Sequence, residues 1–406
     1  MIEGKSGQEE ISVLFAGDFS VGREASKYLQ GVTPLLDSCD VRMFQLEEPY
    51  TRQLLPEAGH DKLVDVLEPV VGKVDLVTLS GNHFYDYGEQ GVKDTIDWCQ
   101  EKGIACCGGG LDAAQAAKPA YITKNGVRIG VIAWNCVGSK YTFARDDRGG
   151  TNGLEFTRAW VDTQVDQSSR DARVEWDVWS LKEPQQMDGL FRGHNFVSCD
   201  ALEKMATDIR AAKKDCDILI AYYHKGYVHQ PVVVDTWERL IAHMAVDNGA
   251  DAVMSSHSHI SHGVEVYKGA PIFHGLNNFV MWVPQLSPNF KGEIPGGADS
   301  VNQEWIKARV KRFGFVPDPE YPTYPFHPES VHCHAAKLII KKDADGVARI
   351  AQTRMVLMQT EKSGVPYVHG QDQKGQETFE YMQRVTTEAG LNGKLSWDGD
   401  EVVVGC

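Results

Sequence analysis

The sequence predicts an α/β fold, and two observations support this prediction. Short apolar runs rich in Val and Ile recur along the chain and are bounded by Gly, Asn or Asp, as buried strands of a parallel sheet are. Segments with helical periodicity lie between these runs. Strands that alternate with helices form βαβ units, and the carboxyl ends of such strands meet in one crevice where ligands bind. We therefore expect the functional residues at the strand ends.

The first predicted strand is ISVLFAG at 11–17, which ends at Gly17 and Asp18. It is apolar throughout, as expected for a strand that is buried on both faces and then opens into a loop. The other predicted strands have the same character and are 40–47, 74–81, 127–135, 217–224, 251–256 and 270–278.

Helical periodicity predicts helices between the strands, and the segment 235–247 shows it most fully. That segment opens with Asp235 and Glu238, which match a capping box, and apolar residues follow at helical spacing. The other predicted helices are 61–71, 89–102 and 199–214.

The last third of the chain predicts antiparallel structure. The segments 335–342 and 347–360 flank a DADG turn and form a hairpin, and a helix at 374–390 and a short terminal strand follow.

Two long stretches interrupt the alternation of strands and helices. Residues 138–197 are polar, and residues 281–332 include a segment dense in Pro and Tyr. Long loops inside a compact domain are commonly lids or binding elements, so we predict that both insertions roof the crevice and set specificity. The alternative for the Pro-rich segment is that it only wraps the surface.

Composition restricts the classes of function. The 406-residue chain has a formal net charge of −15 and no concentration of Lys and Arg, which argues against nucleic acid as a partner. No run approaches the roughly 20 apolar residues of a membrane span, and the first residues lack a signal-peptide pattern. The nine cysteines show no CxxC spacing and predict reduced thiols. We therefore expect a cytoplasmic protein.

Residues able to bind a metal follow the predicted strands. Carboxylate, amide and imidazole groups together are the ligands that hold Mn²⁺, Zn²⁺ or Fe, and no thiolate belongs to the set. His257 and His259 stand at i and i+2 and would point to the same side of an extended backbone. Each residue alone also has a structural explanation, such as a cap, an ion pair or a turn. The set comprises Asp18, Glu47, Asn82 with His83, His224, His257 and His259.

The order of motifs resembles the CapA-type family, which is named for poly-γ-glutamate capsule synthesis and is related to the calcineurin-like metallophosphoesterases. The resemblance covers about residues 10–390 and implies a single domain, a four-layer α/β/β/α sandwich with a metal centre at one edge, into which the insertions 138–197 and 281–332 are set. The motifs that carry it are GDFSVGR (17–23), FQLEEPYT (44–51), SGNHFYDYGEQGVKDT (80–95), AAQAAKPAYITKNGVRIGVIAW (113–134), AYYHKG (221–226) and GADAVMSSHSHISHGVEVYKGAPIFHGLNNF (249–279).

The resemblance also implies roles for individual residues. Asp18 would bind a metal, Glu47 would bridge two metals, and Asn82 would be a further ligand. His224 and His257 would complete one metal site, and His259 would join Asp18 and Glu47 on the other.

Two further positions qualify this assignment. His83, beside Asn82, would act as an acid or electrostatic stabiliser. Ser20 stands where the related enzymes often have a histidine, so one tightly bound and one weakly bound divalent ion, Mn²⁺, Zn²⁺ or Fe, are expected.

The function that these residues suggest is hydrolysis by a metal-bound hydroxide. The bond would be an ester, amide or phosphoester of a small or peptide-like anionic substrate, which Arg23, Lys225 and Asn278 would bind. For Lys225 the alternative is a solvated loop lysine.

Two other classes of function are open. One is binding or transfer of a polyglutamate or capsule polymer without free hydrolysis, and the other is a binding module with a structural metal. The sequence leaves the oligomeric state open.

Overall fold

The structure of the protein is a computed structural model that describes residues 10–55, 60–162, 173–175, 191–287 and 303–405. The strands within these ranges are β1 (Ile11–Ser20), β2 (Val41–Leu46), β3 (Leu76–Thr78), β4 (Ala105–Cys107), β5 (Gly109–Gly110), β6 (Ala120–Lys124), β7 (Val127–Asn135), β8 (Gly150–Thr151), β9 (Phe156–Asp162), β10 (Arg173–Glu175), β11 (Phe191–Val197), β12 (Ile218–Lys225), β13 (Ala252–His257), β14 (Val264–Tyr267), β15 (Ala270–Phe273), β16 (Asn278–Met281), β17 (His332–Lys342), β18 (Ala348–Thr360), β19 (Pro366–Val368), β20 (Lys394–Asp398) and β21 (Glu401–Gly405). The α-helices are α1 (Ala25–Leu29), α2 (Thr33–Asp37), α3 (Gly88–Glu101), α4 (Ala113–Ala116), α5 (Cys199–Lys214), α6 (Thr236–Asp247), α7 (Gln303–Phe313) and α8 (Gln373–Glu388).

Two mixed sheets form the centre of the molecule. The larger sheet has the order β20-β21-β18-β17-β1-β2-β3-β4, with β16 paired to β1 and β19 to β18. The smaller sheet has the order β14-β15-β13-β12-β7-β6. The strands β1, β2, β3 and β4 run parallel to one another, as do β7, β12, β13 and β15, so their carboxyl ends lie at corresponding edges.

The two sheets pack face to face and helices cover their outer faces. Side chains such as Phe15 of β1 and Tyr222 of β12 fill the space between the sheets, and these two rings stack with centroids 5.5 Å apart. Helices α1, α2 and α3 pack on the outer face of the larger sheet, and α5 and α6 on that of the smaller one. The predicted α/β/β/α sandwich is therefore confirmed.

Most predicted elements occur where the periodicity places them, but three differ. The first strand continues past Gly17 to Ser20, and the predicted strand 270–278 is two strands separated by a turn in which Asn277 has a φ of 61°. The predicted helix 61–71 consists of two short 3₁₀ helices, and the second contains Pro69, which cannot donate a backbone hydrogen bond.

The insertions contain regular structure in their described parts. β9, β10 and β11 form a small antiparallel sheet within 138–197, and α7 lies within 281–332. The C-terminal hairpin of β20 and β21 extends the larger sheet beyond residue 390, because β21 pairs with β18. In the described part of the chain, no helix is both long and apolar enough to cross a membrane.

Candidate metal centre

Asp18 is placed by an irregularity in β1. The register between β1 and β2 shifts between Ala16 and Asp18, and the amide of Asp18 donates to the carbonyl of Asn277 at 2.9 Å. A Cβ at Gly17 would lie 1.9 Å from the same carbonyl oxygen, so only glycine permits this approach. The Asp18 carboxylate is consequently buried at the edge where the two sheets meet.

Glu47 follows β2, and its amide donates to the carbonyl of Phe19 at 3.0 Å. Both of its carboxylate oxygens are buried, and neither has a hydrogen-bond partner among the described residues. A buried carboxylate without a donor is costly unless a cation satisfies it. This side chain therefore fits a metal ion and has no evident structural role without one.

His257 and His259 reach the site through a turn, and the extended backbone expected from their spacing is wrong. His257 is the last residue of β13 with a φ of 115°, and His259 follows with a φ of 49°. Strict alternation along β13 would turn His257 away from the face that carries Ser256, and its positive φ removes this constraint. Such backbone strain in non-glycine residues concentrates at functional sites.

The ligand atoms of the candidate residues cluster around Glu47. Two groups have all their ligand atoms within 4.8 Å of one another: Glu47 with His257 and His259, and Glu47 with Asp18 and His224. Glu47 is the residue that both groups share.

The division between two ions that the resemblance implies pairs the residues differently. It joins His224 with His257, whose Nε2 and Nδ1 atoms are 3.2 Å apart, and His259 with Asp18, whose Nδ1 and Oδ2 atoms are 3.6 Å apart. Glu47 is shared in either division, since all of these groups border one centre.

Asn82 also belongs to the centre. Its Oδ1 atom lies 2.9 Å from Nε2 of His224, and the close approach of Gly138, with a φ of 85°, holds it from the other side.

Ser20 is engaged elsewhere. Its hydroxyl donates to Glu48 at 3.0 Å and accepts from the buried ammonium of Lys62 at 2.7 Å. Lys62 also pairs with Glu48 at 3.0 Å. The position where the resemblance implies a histidine thus carries a serine whose hydroxyl bonds to both members of an ion pair.

Burial controls the ionisation of the two carboxylates. It raises the pKa of Asp18 to about 7, against donation from Ser256 and the His257 amide, and it raises the pKa of Glu47 well above its ordinary value, with repulsion from Asp18 adding to the effect. A divalent ion would reverse this cost by supplying positive charge between the two groups.

The imidazoles are neutral and able to act as ligands. Burial, together with the charges of neighbouring imidazoles, lowers the pKa of His224 and of His257 well below the ordinary value. Burial lowers the pKa of His259 to about 4. Neutral imidazole nitrogens beside two carboxylates are a donor set that suits Mn²⁺, Zn²⁺ or Fe.

His83 differs from His224, His257 and His259 because its pKa is raised and not lowered. Its Nδ1 atom lies 2.6 Å from Oδ2 of Asp86, and both side chains are 45% exposed. Partial withdrawal from water lowers the pKa of His83, but Asp86, Glu47 and Glu48 outweigh this effect and raise it to about 10. The charge of the imidazolium acts on Glu47 of the centre.

Lys225 does not face the centre, which corrects its prediction as a substrate-binding residue. It is the last residue of β12 and not part of a loop, so it points to the face opposite that of His224. Its ammonium is fully buried 2.7 Å from Oε2 of Glu238.

Asn278 and Arg23 also have protein partners. The amide oxygen of Asn278 lies 2.8 Å from Nδ1 of His259, so this side chain orients a candidate ligand. Arg23 is half exposed, and its Nε donates to Asp61 at 3.0 Å.

Comparisons with known proteins give the family. Residues 12–282 match the model of the bacterial capsule synthesis protein PGA_cap. The chain belongs to this family. It is 24% identical over 288 residues to the PGA biosynthesis protein CapA of Bacillus subtilis, covering 66% of this chain and 63% of the relative. It is 22% identical over 292 residues to the capsule biosynthesis protein CapA of Bacillus anthracis, covering 67% and 60%.

The chain therefore spans less than two thirds of these PGA_cap relatives. Among solved structures it is similar to a novel phosphatase of Mycoplasma pneumoniae, with a TM-score of 0.45 and 12% identity over 87% of this chain and 94% of that one.

Sequence reasoning missed two residues that touch the centre of this PGA_cap protein. The Ser256 hydroxyl donates to Oδ1 of Asp18, and the Tyr222 hydroxyl lies 2.5 Å from Ser256 Oγ and 3.2 Å from Nδ1 of His224. The signal that could have found Tyr222 is strand alternation, because it precedes His224 by two residues and shares its face.

Proposed function

We propose that the chain is a metal-dependent hydrolase that cleaves an ester, amide or phosphoester bond of a small or peptide-like anionic substrate. The observation that carries this proposal is that the two buried carboxylate oxygens of Glu47 receive no hydrogen bond in the described chain. They lie among candidate ligands, which are Asp18, His224, His257 and His259. A buried carboxylate that receives no hydrogen bond from the described residues is expected to have a cation as its partner.

The residues that would hold one or two divalent ions are Asp18, Glu47, Asn82, His224, His257 and His259. A divalent ion would supply Lewis acidity and lower the pKa of a bound water. His83 would give a proton to the leaving group, because its pKa is raised and its charge acts on both Asp18 and Glu47. Asp86 would hold the His83 ring and maintain its charge.

The test begins with metal content. Elemental analysis of the purified protein, followed by calorimetric titration of Mn²⁺ and Zn²⁺, should find one tight site at least. Glu47→Gln should lose most of the bound metal, whereas Glu101→Gln, which alters a carboxylate that is 58% exposed and paired with Arg52, should not.

The second part of the test is turnover. The protein should be screened with phosphoester, ester and amide substrates with and without each metal, and Glu47→Gln should abolish any metal-dependent activity. Full activity in metal-free protein would contradict the proposal.

A second candidate is binding or transfer of a polyglutamate or capsule polymer without free hydrolysis. Membership of the PGA_cap family favours it, and two relatives are named for PGA or capsule biosynthesis. Under this alternative, poly-γ-glutamate should bind in the presence of metal and emerge with unchanged chain length. Release of free glutamate or shorter chains would favour the hydrolase.

A further inference from the structure

Arg309 of helix α7 is a buried cation without a carboxylate partner in the described part of the chain. Its side chain is 8% exposed. Its Nη1 donates to the carbonyl of Pro325 at 3.1 Å and its Nη2 to Nε2 of His229 at 3.3 Å. The rings of Phe313 and Phe315 lie 5.4 and 5.8 Å from the guanidinium carbon.

This arrangement leaves charge unsatisfied. Burial lowers the pKa of Arg309 to about 10, so the guanidinium stays charged at neutral pH. A guanidinium has five N–H donors and no acceptor, and neutral acceptors such as a carbonyl and an imidazole do not neutralise it. Buried charges are normally paired, so Arg309 has the chemistry to bind an anion.

His229 adds a second unsatisfied donor next to Arg309. Because Arg309 can only donate, Nε2 of His229 must accept, and the proton of the neutral ring is therefore on Nδ1. Nδ1 is buried and has no partner in the described chain. The backbone of His229 has a φ of 63°, a conformation that is uncommon for a non-glycine residue.

Both residues adjoin the metal centre. The rings of His229 and His259 are 6.3 Å apart, and the ring of Phe326 lies 5.1 Å from that of His259 and 5.8 Å from that of His229. The positive charge of Arg309 contributes to the lowered pKa of His259. The unsatisfied donors therefore lie one ring away from a candidate ligand, and one of them, Arg309, belongs to the insertion 281–332.

We propose that Arg309 and His229 form an oxyanion subsite that binds a carboxylate or phosphate group of the substrate beyond the bond that is cleaved. This inference rests on the proposed hydrolase function and narrows its substrate to molecules with a second anionic group. Arg309 would bind that group through its fork of N–H donors, and the Nδ1 proton of His229 would donate to the same group. Phe313, Phe315 and Phe326 exclude water and strengthen the charge interaction.

The test measures binding of two probes, glutarate and inorganic phosphate, by calorimetry on the whole 406-residue chain. Arg309→Met should lower the affinity for the probe that the subsite binds by about tenfold or more, since a charge-assisted hydrogen bond is lost. Lys307→Met, on the same helix with a side chain that is 71% exposed, is the control and should bind as the wild type does. The affinity of Arg309→Lys for the same probe should lie between those of the wild type and of Arg309→Met.

The two probes distinguish the source of the oxyanion. A loss confined to glutarate assigns the subsite to a carboxylate, and a loss confined to phosphate assigns it to a phosphate. If Arg309→Met does not fold, His229→Asn replaces it, because Asn tolerates a positive φ and lacks the ring donor. Unchanged affinity for both probes in a folded Arg309→Met or His229→Asn protein would overturn the proposal.

The subsite can be separated from the metal and from catalysis. In Glu47→Gln, which is expected to lose metal, addition of Arg309→Met should still weaken the probe. If probe binding depends on Arg309 but the protein turns over no substrate, the hydrolase proposal is contradicted and the subsite proposal is not. If the protein turns over a substrate but probe binding is the same with and without the Arg309 side chain, the subsite proposal is contradicted and the hydrolase proposal is not.

Discussion

The amide oxygen of Asn278 lies 2.8 Å from Nδ1 of His259. The amide nitrogen of the same side chain donates to the Tyr324 hydroxyl at 2.9 Å, and that hydroxyl donates to the carbonyl of Ser330 at 2.9 Å. This chain of bonds fixes the orientation of the Asn278 amide and places the His259 proton on Nδ1. The Nε2 lone pair is then free for the side that faces Glu47, where Oε1 is 4.0 Å away.

Asn278→Ala should therefore weaken metal binding by about 10- to 100-fold, the usual cost of removing a group that orients a ligand. The measurement is calorimetric titration with Mn²⁺ or Zn²⁺. Tyr324→Phe is the matched control, since it removes the hydroxyl that Asn278 bonds to and leaves the bond from Asn278 to His259. It should lower the metal affinity less than Asn278→Ala does. Equal affinity of Asn278→Ala and the wild type would show that Asn278 does not orient His259.

Metal binding should release protons from the carboxylates. Burial raises the pKa of Asp18 to about 7 from its ordinary value of 3.8, so part of this group is protonated at neutral pH without metal. Metal affinity should fall as the pH is lowered from about 8 to about 6, because protons compete for the ligands. Calorimetry in buffers of different ionisation enthalpy counts the released protons, and a value of zero at pH 7 would contradict this prediction.

The stability of the metal-free protein should also depend on Asp18, but it should fall as the pH rises, whereas metal affinity falls as the pH is lowered. A raised folded-state pKa means that the stabilising contribution of Asp18 is complete below 3.8 and is lost as the pH rises through about 7. The melting temperature of the wild type should therefore fall relative to Asp18→Asn between these limits. A difference that stays constant with pH would contradict the raised pKa.

The fold was predictable because its signals are local. β7 begins and ends at Val127 and Asn135 as predicted, since a run of apolar residues between polar boundaries defines a buried strand without reference to the rest of the chain. The capping box of α6, from Asp235 to Glu238, is likewise a short-range pattern and is present.

The site was less predictable because its geometry depends on long-range packing. Strand ends identify Asp18 and Glu47, but the close approach of Gly17 to Asn277 and the bond from the His257 amide to Asp18 join segments far apart in the sequence. The approach of Arg309 to His229 joins residues 80 positions apart and has no pattern in the sequence.

Lys225 and Glu238 offer a test of the corrected role of Lys225. Both side chains are fully buried and their charges pair at 2.7 Å. Lys225→Met should lower the free energy of unfolding by about 3–5 kcal/mol, because it leaves Glu238 buried and unpaired. Chemical denaturation measures the change.

The matched variant for this pair is Lys225→Met with Glu238→Gln. It removes both charges and should recover much of the lost stability, while metal content should stay at the wild-type value in both proteins. A stable Lys225→Met protein with impaired substrate binding would restore the substrate-contact role.

His83 and Asp86 control the alkaline limit of activity if His83 is the acid. The pKa of His83 is raised to about 10 by Asp86, Glu47 and Glu48 against the effect of burial, so the ring is protonated at neutral pH and loses its proton as the pH rises through that value. Asp86→Asn removes the nearest of these charges, and the alkaline limb of kcat/KM should move to lower pH by about one unit or more. Asp97→Asn, whose carboxylate pairs with Lys93 on the surface of α3, is the control.

The leaving group gives a second readout: His83→Asn should slow a substrate with a basic leaving group far more than one whose leaving group departs without a proton. An equal loss for both substrates would assign His83 to electrostatic support of the centre and not to proton transfer.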